Sequence, residues 1–435
     1  MEKILIYGVK SSGKALYRLL VKNNQVFLFD DDKNALKDYP KQVVYDVGDD
    51  IAQFDKLLIS PSVNPSNSLV KKARDCGVKV LNEFEFSFFR CKADGIYVTG
   101  TDGKTTTVSM IENIFKQTEK RFFTVGNIGN PFADCCDKIK KDDLVVGEVS
   151  SFMLDGFVGI SPHIAAVLNV FPDHIDRHKT IENYSAKKFS ICKNMSQKDI
   201  FIINADDELT KRAKIETKAK ILSVSLCKKT QGAYVDSKSV YADIDGIKTK
   251  LFEVENLKLN GLHNLYNAMF AALSCFCYGI LPEYIRKGIS EFCGVPHRQQ
   301  IVAQKGSVIF ANDSKATTPH ATLAAIHTFK EKNIGLILGG SDKMLNLSEI
   351  LDFGNVYYYA FVGQTAGILK SAADKKNLHN YVVCDDLHTA VNFLYKKLKN
   401  IGGVILLSPA CASFDKYKDY RERGEDFVRA VKELL

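Results

Sequence analysis

The chain has 435 residues, 46% hydrophobic and 25% charged, with a formal net charge of +8. That length exceeds one typical core and predicts two or three water-soluble domains. Lysines and acids are interspersed without a long basic run, which gives no indication of a nucleic-acid surface and suits anionic small substrates. No stretch is long and apolar enough for a bilayer, so no membrane partner is expected. Eleven cysteines without Cys-x-x-Cys spacing predict buried free thiols in a reducing compartment, not a disulfide framework or a zinc site. The opening apolar run is too short for a signal peptide, and the expected location is the cytoplasm.

In chain order, residues 3–7 predict a strand, followed by a turn from Gly8 to Gly13 and a helical pattern from Ala15 to Leu20. Residues 26–30 give a second strand ending on Asp30. This is a Rossmann-like βαβ start, but Lys10 stands at the second glycine of the dinucleotide fingerprint, so no nicotinamide cofactor is assigned. Asp30 reads equally as a ribose ligand or a solvated strand end. Residues 56–61 form a further strand. Its end, Ser60-Pro61-Ser62-Val63-Asn64, lies at the carboxyl edge where open α/β sheets bind ligands. The polar run Cys91-Lys92-Ala93-Asp94 marks a boundary, so the first domain covers residues 1–93.

The second domain, residues 94–294, opens on the most informative stretch. Residues 95–98 read as a buried strand and residues 108–115 as a helix. Between them runs Gly100-Thr101-Asp102-Gly103-Lys104-Thr105-Thr106. Such a turn aims backbone N–H groups into one concavity at the positive end of a helix dipole. Lys104 is placed for terminal phosphates, and the Thr105 hydroxyl for Mg²⁺. The general pattern would put its first glycine at position 98, which is Val98; the glycine is shifted to Gly100. Nucleotide binding is the favoured reading, and a plain strand-to-helix turn the alternative. Residues 144–151, 164–170 and 199–204 predict buried strands of a parallel sheet. Residues 222–259 switch to short alternating strands, read as an antiparallel excursion. Glu148 and His174 both follow strands of that sheet and could together hold a divalent ion. Asn264 and Asn267 lie three apart at a helix start, where amides cap the helix or read a nucleobase; the residues alone favour capping.

Gly294-Val295-Pro296 marks the second boundary, and residues 295–435 form a third α/β domain. Strands are expected at residues 308–315, 334–340, 356–363 and 404–409. Arg298 offers a guanidinium for a phosphate. Asp313-Ser314-Lys315-Ala316-Thr317 and Gly339-Gly340-Ser341-Asp342-Lys343 set two lysines at strand ends, and residues 408–415 add small side chains and a hydroxyl. A dianionic amino acid suits such a pocket; any one of these residues alone is ordinary surface charge.

The shifted glycine spacing resembles the ATP loop of the Mur ligases. Leu168-Asn169-Val170-x-Pro172-Asp173-His174-x-Asp176-Arg177-His178, Asn312 to Thr317, Leu338-Gly339-Gly340-x-Asp342-Lys343, and Ser408 to Asp415 through Arg423-Gly424 are similar to that family as well. The last two point to its D-glutamate-adding members. The resemblance implies an α/β chain of three domains: a Rossmann-like UDP-binding domain, a P-loop ATPase domain with a parallel sheet, and a Rossmann-like amino-acid domain. It implies ATP-driven amide formation in peptidoglycan synthesis, with UDP-N-acetylmuramoyl-L-alanine, D-glutamate and ATP as substrates, by a monomer. Gly100, Thr101, Asp102, Gly103, Lys104, Thr105, Thr106, Asn264, Asn267, Arg298 and Asp313 would engage ATP. Thr105, Glu148 and His174 would hold Mg²⁺, and Asn127 and Ser150 would face the muramoyl substrate. Lys315, Thr317, Lys343, Ser413, Phe414 and Tyr420 would line the D-glutamate pocket. Met153 stands where the family commonly has a glutamine on the muramoyl substrate. Thr318 replaces a common Asn.

Ile181, Tyr184, Lys188, Ile191 and Met195 recur at helical spacing, so Lys188 lies in an apolar stripe, while Lys187 shares a solvent face with Asn183, Ser190 and Asn194. A buried amine should have a depressed pKa. From the residues alone, a lysine snorkelling its charge outward is the simpler account. The resemblance implies a carbamylated Lys188 that helps position a second Mg²⁺. The rival functions are a folylpolyglutamate synthetase-like ligase and a nucleotide-dependent switch without ligase chemistry.

Overall fold

The computed structural model describes residues 1–46, 50–127, 129–155, 159–259, 261–342 and 346–435, apart from the side chains of Asp176 and His320. Two compact units are present, Met1–Phe292 and Cys293–Leu435.

The first unit begins with β1 (Lys3–Tyr7), α1 (Ser11–Leu20), β2 (Gln25–Phe29), β3 (Lys56–Ile59), α2 (Ser68–Asp75), β4 (Lys79–Asn82) and α3 (Glu83–Arg90). The strands form a parallel sheet in the order β2-β1-β3-β4. β1 and β3 are central and covered on both faces, hence their unbroken apolar runs. The strand order reverses between them, so the loops after β1 and β3 meet at the switch point of the sheet. Gly8 has φ +91°, and a Cβ there would run into Ser60 and Val63. Asp30 has a structural part at its strand end. Its carboxylate accepts from Val9 N at 2.6 Å and Asp32 N at 2.9 Å, tying the two turns together.

The same unit continues with β5 (Gly95–Thr99), α4 (Lys104–Phe115), β6 (Phe122–Gly126), β7 (Leu144–Glu148), β8 (Ile164–Val167), α5 (Ile175–His178), α6 (Ile181–Phe189), β9 (Ile200–Asn204) and α7 (Glu208–Arg212). β10 (Lys220–Ser225), β11 (Gly232–Asp236), β12 (Ser239–Ile244), β13 (Ile247–Glu253), α8 (Leu262–Cys277) and α9 (Pro282–Glu291) complete it. All these strands share one sheet, in the order β13-β12-β11-β10-β9-β8-β5-β7-β6. The expected antiparallel excursion is narrower than residues 222–259. β10 pairs parallel with both β9 and β11, and only β11-β12-β13 run antiparallel. α4 lies close to α9: a Cβ on Gly288 would strike the Ile114 backbone, and Asn113 Nδ2 donates to Gly288 O at 2.7 Å.

The two sheets of this unit share core. Phe84 of α3 packs edge-on against Tyr97 of β5 and against Phe132, while Ala133 belongs to the core of the first sheet. The expected 93/94 boundary falls between α3 and β5, inside the first compact unit.

The second unit contains β14 (Gln300–Lys305), β15 (Val308–Asn312), α10 (Pro319–Thr328), β16 (Ile334–Leu338), β17 (Val356–Phe361), α11 (Ala366–Lys375), β18 (Tyr381–Val383), α12 (Leu387–Leu398), β19 (Gly403–Leu407) and α13 (Tyr420–Leu434). Its sheet runs β14-β15-β19-β16-β17-β18, parallel except for β14, with an apolar core on each face. Thr318 caps α10, accepting from Ala321 N at 3.4 Å.

The cysteines are free thiols, but not uniformly buried: Cys76, Cys227 and Cys293 are exposed. Among the described residues no helix is long and apolar enough to cross a membrane.

Candidate active site

The loop between β5 and α4 is built by its neighbours as much as by its glycines. Gly100 takes φ +151° close against Leu168 and Asn169, and Gly103 takes φ +84° at the cap of α4, where a Cβ would collide with the Asn267 amide. Asn169, just beyond β8, clamps the turn. Its Oδ1 accepts from Thr101 N (3.1 Å) and Asp102 N (2.9 Å), and its Nδ2 donates to Asp102 O (3.1 Å). Phe171 N donates to the Thr101 hydroxyl at 3.0 Å. Thr105 is buried in the first turn of α4, while Asp102 is exposed and Thr106 half-buried.

Two ammonium groups converge on this loop. Lys104 Nζ donates to Gly100 O at 2.8 Å and Thr101 O at 2.7 Å. Lys188 Nζ donates to the same Gly100 O at 2.6 Å and lies 4.4 Å from the centre of the Tyr184 ring. Lys188 is 1% exposed, so it does not snorkel. Burial first, then the neighbouring Lys104 charge, lower its pKa to about 7. Lys187 is part-exposed and pairs with Asp155 at 3.7 Å.

Glu148 ends β7, the strand beside β5, and is fully buried. Its Oε1 accepts from Asn127 Nδ2 at 2.8 Å, whereas Oε2 has no hydrogen-bond partner. A buried carboxylate oxygen without a donor is costly unless a cation completes it. The residues present therefore fit a divalent ion. His174 is less committed. It has φ +49° at the start of α5, an exposed ring 3.4 Å from Asp173 and 4.8 Å, centre to centre, from Phe152. Among the described residues no three His, Cys, Asp or Glu side chains form a ready metal cage. Ser150 accepts from Met153 N at 3.3 Å. The Met153 side chain is buried in the core, as its apolar thioether requires, rather than facing a crevice as an amide would.

The two helix-start amides do not cap α8; its cap residue is Gly261. Asn267 is buried, its Oδ1 accepting from Thr107 Oγ1 at 3.3 Å and its Nδ2 donating to Asn264 Oδ1 at 3.5 Å. The capping preference fails because α8 packs against α4, which delivers the amide to the phosphate loop.

In the second unit, Asp313 is buried at the end of β15 and accepts from Ser408 Oγ at 2.8 Å and Gln299 N at 3.1 Å. Burial pushes its carboxyl up to about 6. Arg298 is exposed. Lys315 stands 5.9 Å over the Tyr420 ring, and Thr317 is half-buried. Ser413 is buried in backbone, accepting at its carbonyl from Tyr417 N at 2.9 Å, beside a Phe414 that is 73% exposed. Arg423, 2% exposed, joins the two loops by donating to Ser314, Cys411 and Ala412 carbonyls. Lys343 lies outside the described residues.

Residues 98–275 match the Mur ligase middle domain. Over its whole length the chain is 33% identical to the UDP-N-acetylmuramoylalanine–D-glutamate ligase of Clostridioides difficile, of which it covers 99%. Its fold is similar to that of the UDP-N-acetylmuramate-alanine ligase of Thermotoga maritima, with a TM-score of 0.55 at 19% identity over 100% of both chains. It is also similar to a MurF ligase of Thermotoga maritima in complex with ADP, with a TM-score of 0.52 at 15% identity, over 88% of this chain and 90% of that one.

Proposed function

The chain belongs to the Mur ligase family, and on that premise we propose that it is an ATP-dependent ligase joining D-glutamate to UDP-N-acetylmuramoyl-L-alanine in peptidoglycan synthesis. The observation that carries the reading is local. The Lys104 loop, clamped by Asn169, lies at the end of β5, and the neighbouring strand β7 ends on the half-satisfied Glu148.

A carboxylate is a poor electrophile. Phosphoryl transfer from ATP converts it to an acyl phosphate, which the D-glutamate amine attacks with loss of phosphate. Lys104 exchanges its two carbonyl partners for the phosphates and neutralises charge on the group in transit. Thr105, Glu148 and His174 would hold Mg²⁺, which would supply further charge neutralisation when bound. Asn127 orients the Glu148 carboxylate through its 2.8 Å hydrogen bond. We assign residues 1–93 to the UDP substrate, 94–294 to ATP and 295–435 to the amino acid. Asn264, Asn267, Arg298 and Asp313 are assigned to ATP, and Asn127 and Ser150 to the muramoyl substrate. Lys315, Thr317, Lys343, Ser413, Phe414 and Tyr420 are assigned to D-glutamate. We read Lys188 as carbamylated in the active enzyme, holding a second Mg²⁺, and the protein as a cytoplasmic monomer.

The test is phosphate release from ATP with UDP-N-acetylmuramoyl-L-alanine and either D- or L-glutamate. Release with the D isomer alone is the expected result. Release with a folate and L-glutamate would select the folylpolyglutamate reading. Release independent of any amino acid would favour a switch.

A further inference from the structure

Arg177 takes no part in the chemistry above, yet its side chain is only 12% exposed and closely partnered. Nε and Nη2 each hold Asp155 Oδ2 at 2.9 Å. Nη1 donates to Ser62 O at 3.3 Å, and Nη2 to Val63 O at 3.2 Å and Pro61 O at 3.4 Å. The guanidinium carbon stacks 4.2 Å from the centre of the Phe152 ring. An arginine serving only solubility would not collect three successive carbonyls, an acid and an aromatic face.

The loop it grips is the one that meets Gly8 at the switch point of the first sheet. The same loop is closed from within by Val63 N, which donates to Ser60 O at 2.9 Å, so Arg177 holds a formed turn from its carbonyl side. The other partners of Arg177 belong to the second sheet. Asp155 closes the segment that starts at Glu148, and Phe152 also touches the His174 ring. One planar fork thus touches the ligand-binding end of one sheet and the segments that carry Glu148 and His174 in the other.

We propose that Arg177 is a positioning residue that fixes the Pro61-Ser62-Val63 loop, and with it the UDP-sugar substrate, in register with the phosphoryl-transfer site. The proposal rests on reading residues 1–93 as the UDP-substrate domain. Arg177→Lys keeps a cation for Asp155 but cannot span three carbonyls. Asp155→Asn is a second, milder variant that loosens the guanidinium from the other side. Both are assayed for KM of UDP-N-acetylmuramoyl-L-alanine and of ATP, and for amide hydrogen exchange at residues 60–64. The expected result for Arg177→Lys is a KM for the UDP sugar at least tenfold higher, a KM for ATP within twofold of wild type, and faster exchange in the loop. Asp155→Asn should move the same quantities in the same direction by less. An unchanged KM for the UDP sugar, or an equal rise in both constants, overturns the coupling while wild-type turnover leaves the functional reading intact. If Arg177→Lys does not fold, Asp155→Asn decides by the same criteria. A wild type that neither binds nor consumes the UDP sugar fails the functional reading, and the coupling falls with it.

Discussion

Gly100 O is shared by the ammonium groups of Lys104 and Lys188. Two like charges at one acceptor, one of them buried, favour losing a proton from the buried partner. With a pKa near 7, Lys188 presents a substantial neutral fraction near neutrality. A neutral amine adds to the carbon of CO₂, releases one N–H proton to water, and becomes a carbamate anion. In the proposed carbamylated enzyme this would invert the charge at this position, from one that repels a metal to one that would ligate it. At fixed bicarbonate, Lys188→Ala should lose turnover on the order of 100-fold, as loss of a metal-site group does, with partial recovery on adding a short carboxylic acid. Lys187→Ala should stay near wild type, because Asp155 keeps its 2.9 Å contact with Arg177. Wild-type activity in Lys188→Ala removes the carbamate. The burial of Lys188 was legible because helical spacing alone put it in an apolar stripe. Asn169 and Arg177 were not legible as site-builders. The loop atoms that Asn169 clamps are more than 60 residues away, and the three carbonyls that Arg177 holds more than 100, and no local pattern encodes those contacts.

α3 shows how one element joins two sheets. Asn82 caps the helix by accepting from Glu85 N at 2.9 Å, while its Nδ2 donates to Met153 O at 2.7 Å. In the first turn, Glu83 Oε1 accepts from Ala133 N at 2.7 Å. Burial dominates over that hydrogen bond and pushes the Glu83 carboxyl up to about 7. A raised carboxyl binds its proton more tightly folded than unfolded. Its stabilising contribution is complete below the unfolded value near 4.5 and is lost as pH climbs through about 7. Glu83→Gln keeps an acceptor for Ala133 without the charge. Its melting temperature should match wild type at pH 4.5 and exceed it at pH 8 by roughly 5 °C. A gap of equal size at both pH values would refute the titration. The strands that sequence reading missed are β4, β6, β14 and β18. All four are edge strands, and β14 and β18 lack a buried apolar run: Gln300–Lys305 alternates with solvent and Tyr381–Val383 has three residues. Central strands read clearly because both faces are covered.

At the scale of the whole molecule, cores rather than motifs decide what folds alone. Sequence reading placed boundaries after residues 93 and 294, where polar or Gly-Pro segments interrupt the apolar pattern. The two differ physically. The core clusters of the second unit consist only of residues from 302 onward. By contrast, Phe84 of the first sheet's last helix lies in the cluster of the second sheet, and Ala133 of the second lies in the cluster of the first. Arg18–Asp134 and Arg90–Asp137 cross the same junction, but both pairs are part-exposed and contribute about 0–1 kcal/mol each. The shared apolar core therefore holds the two sheets together more strongly than the ion pairs do. Cutting at 93 should expose Leu81, Phe84 and Phe86 together. Three fragments test this: 1–93, 1–292 and 293–435. The last two should each give a cooperative thermal transition and dispersed amide spectra. Fragment 1–93 should aggregate or bind a hydrophobic dye, without a cooperative melt. A fragment 1–93 that melts cooperatively, or a fragment 293–435 that does not, would show that the shared core is not what sets the folding units.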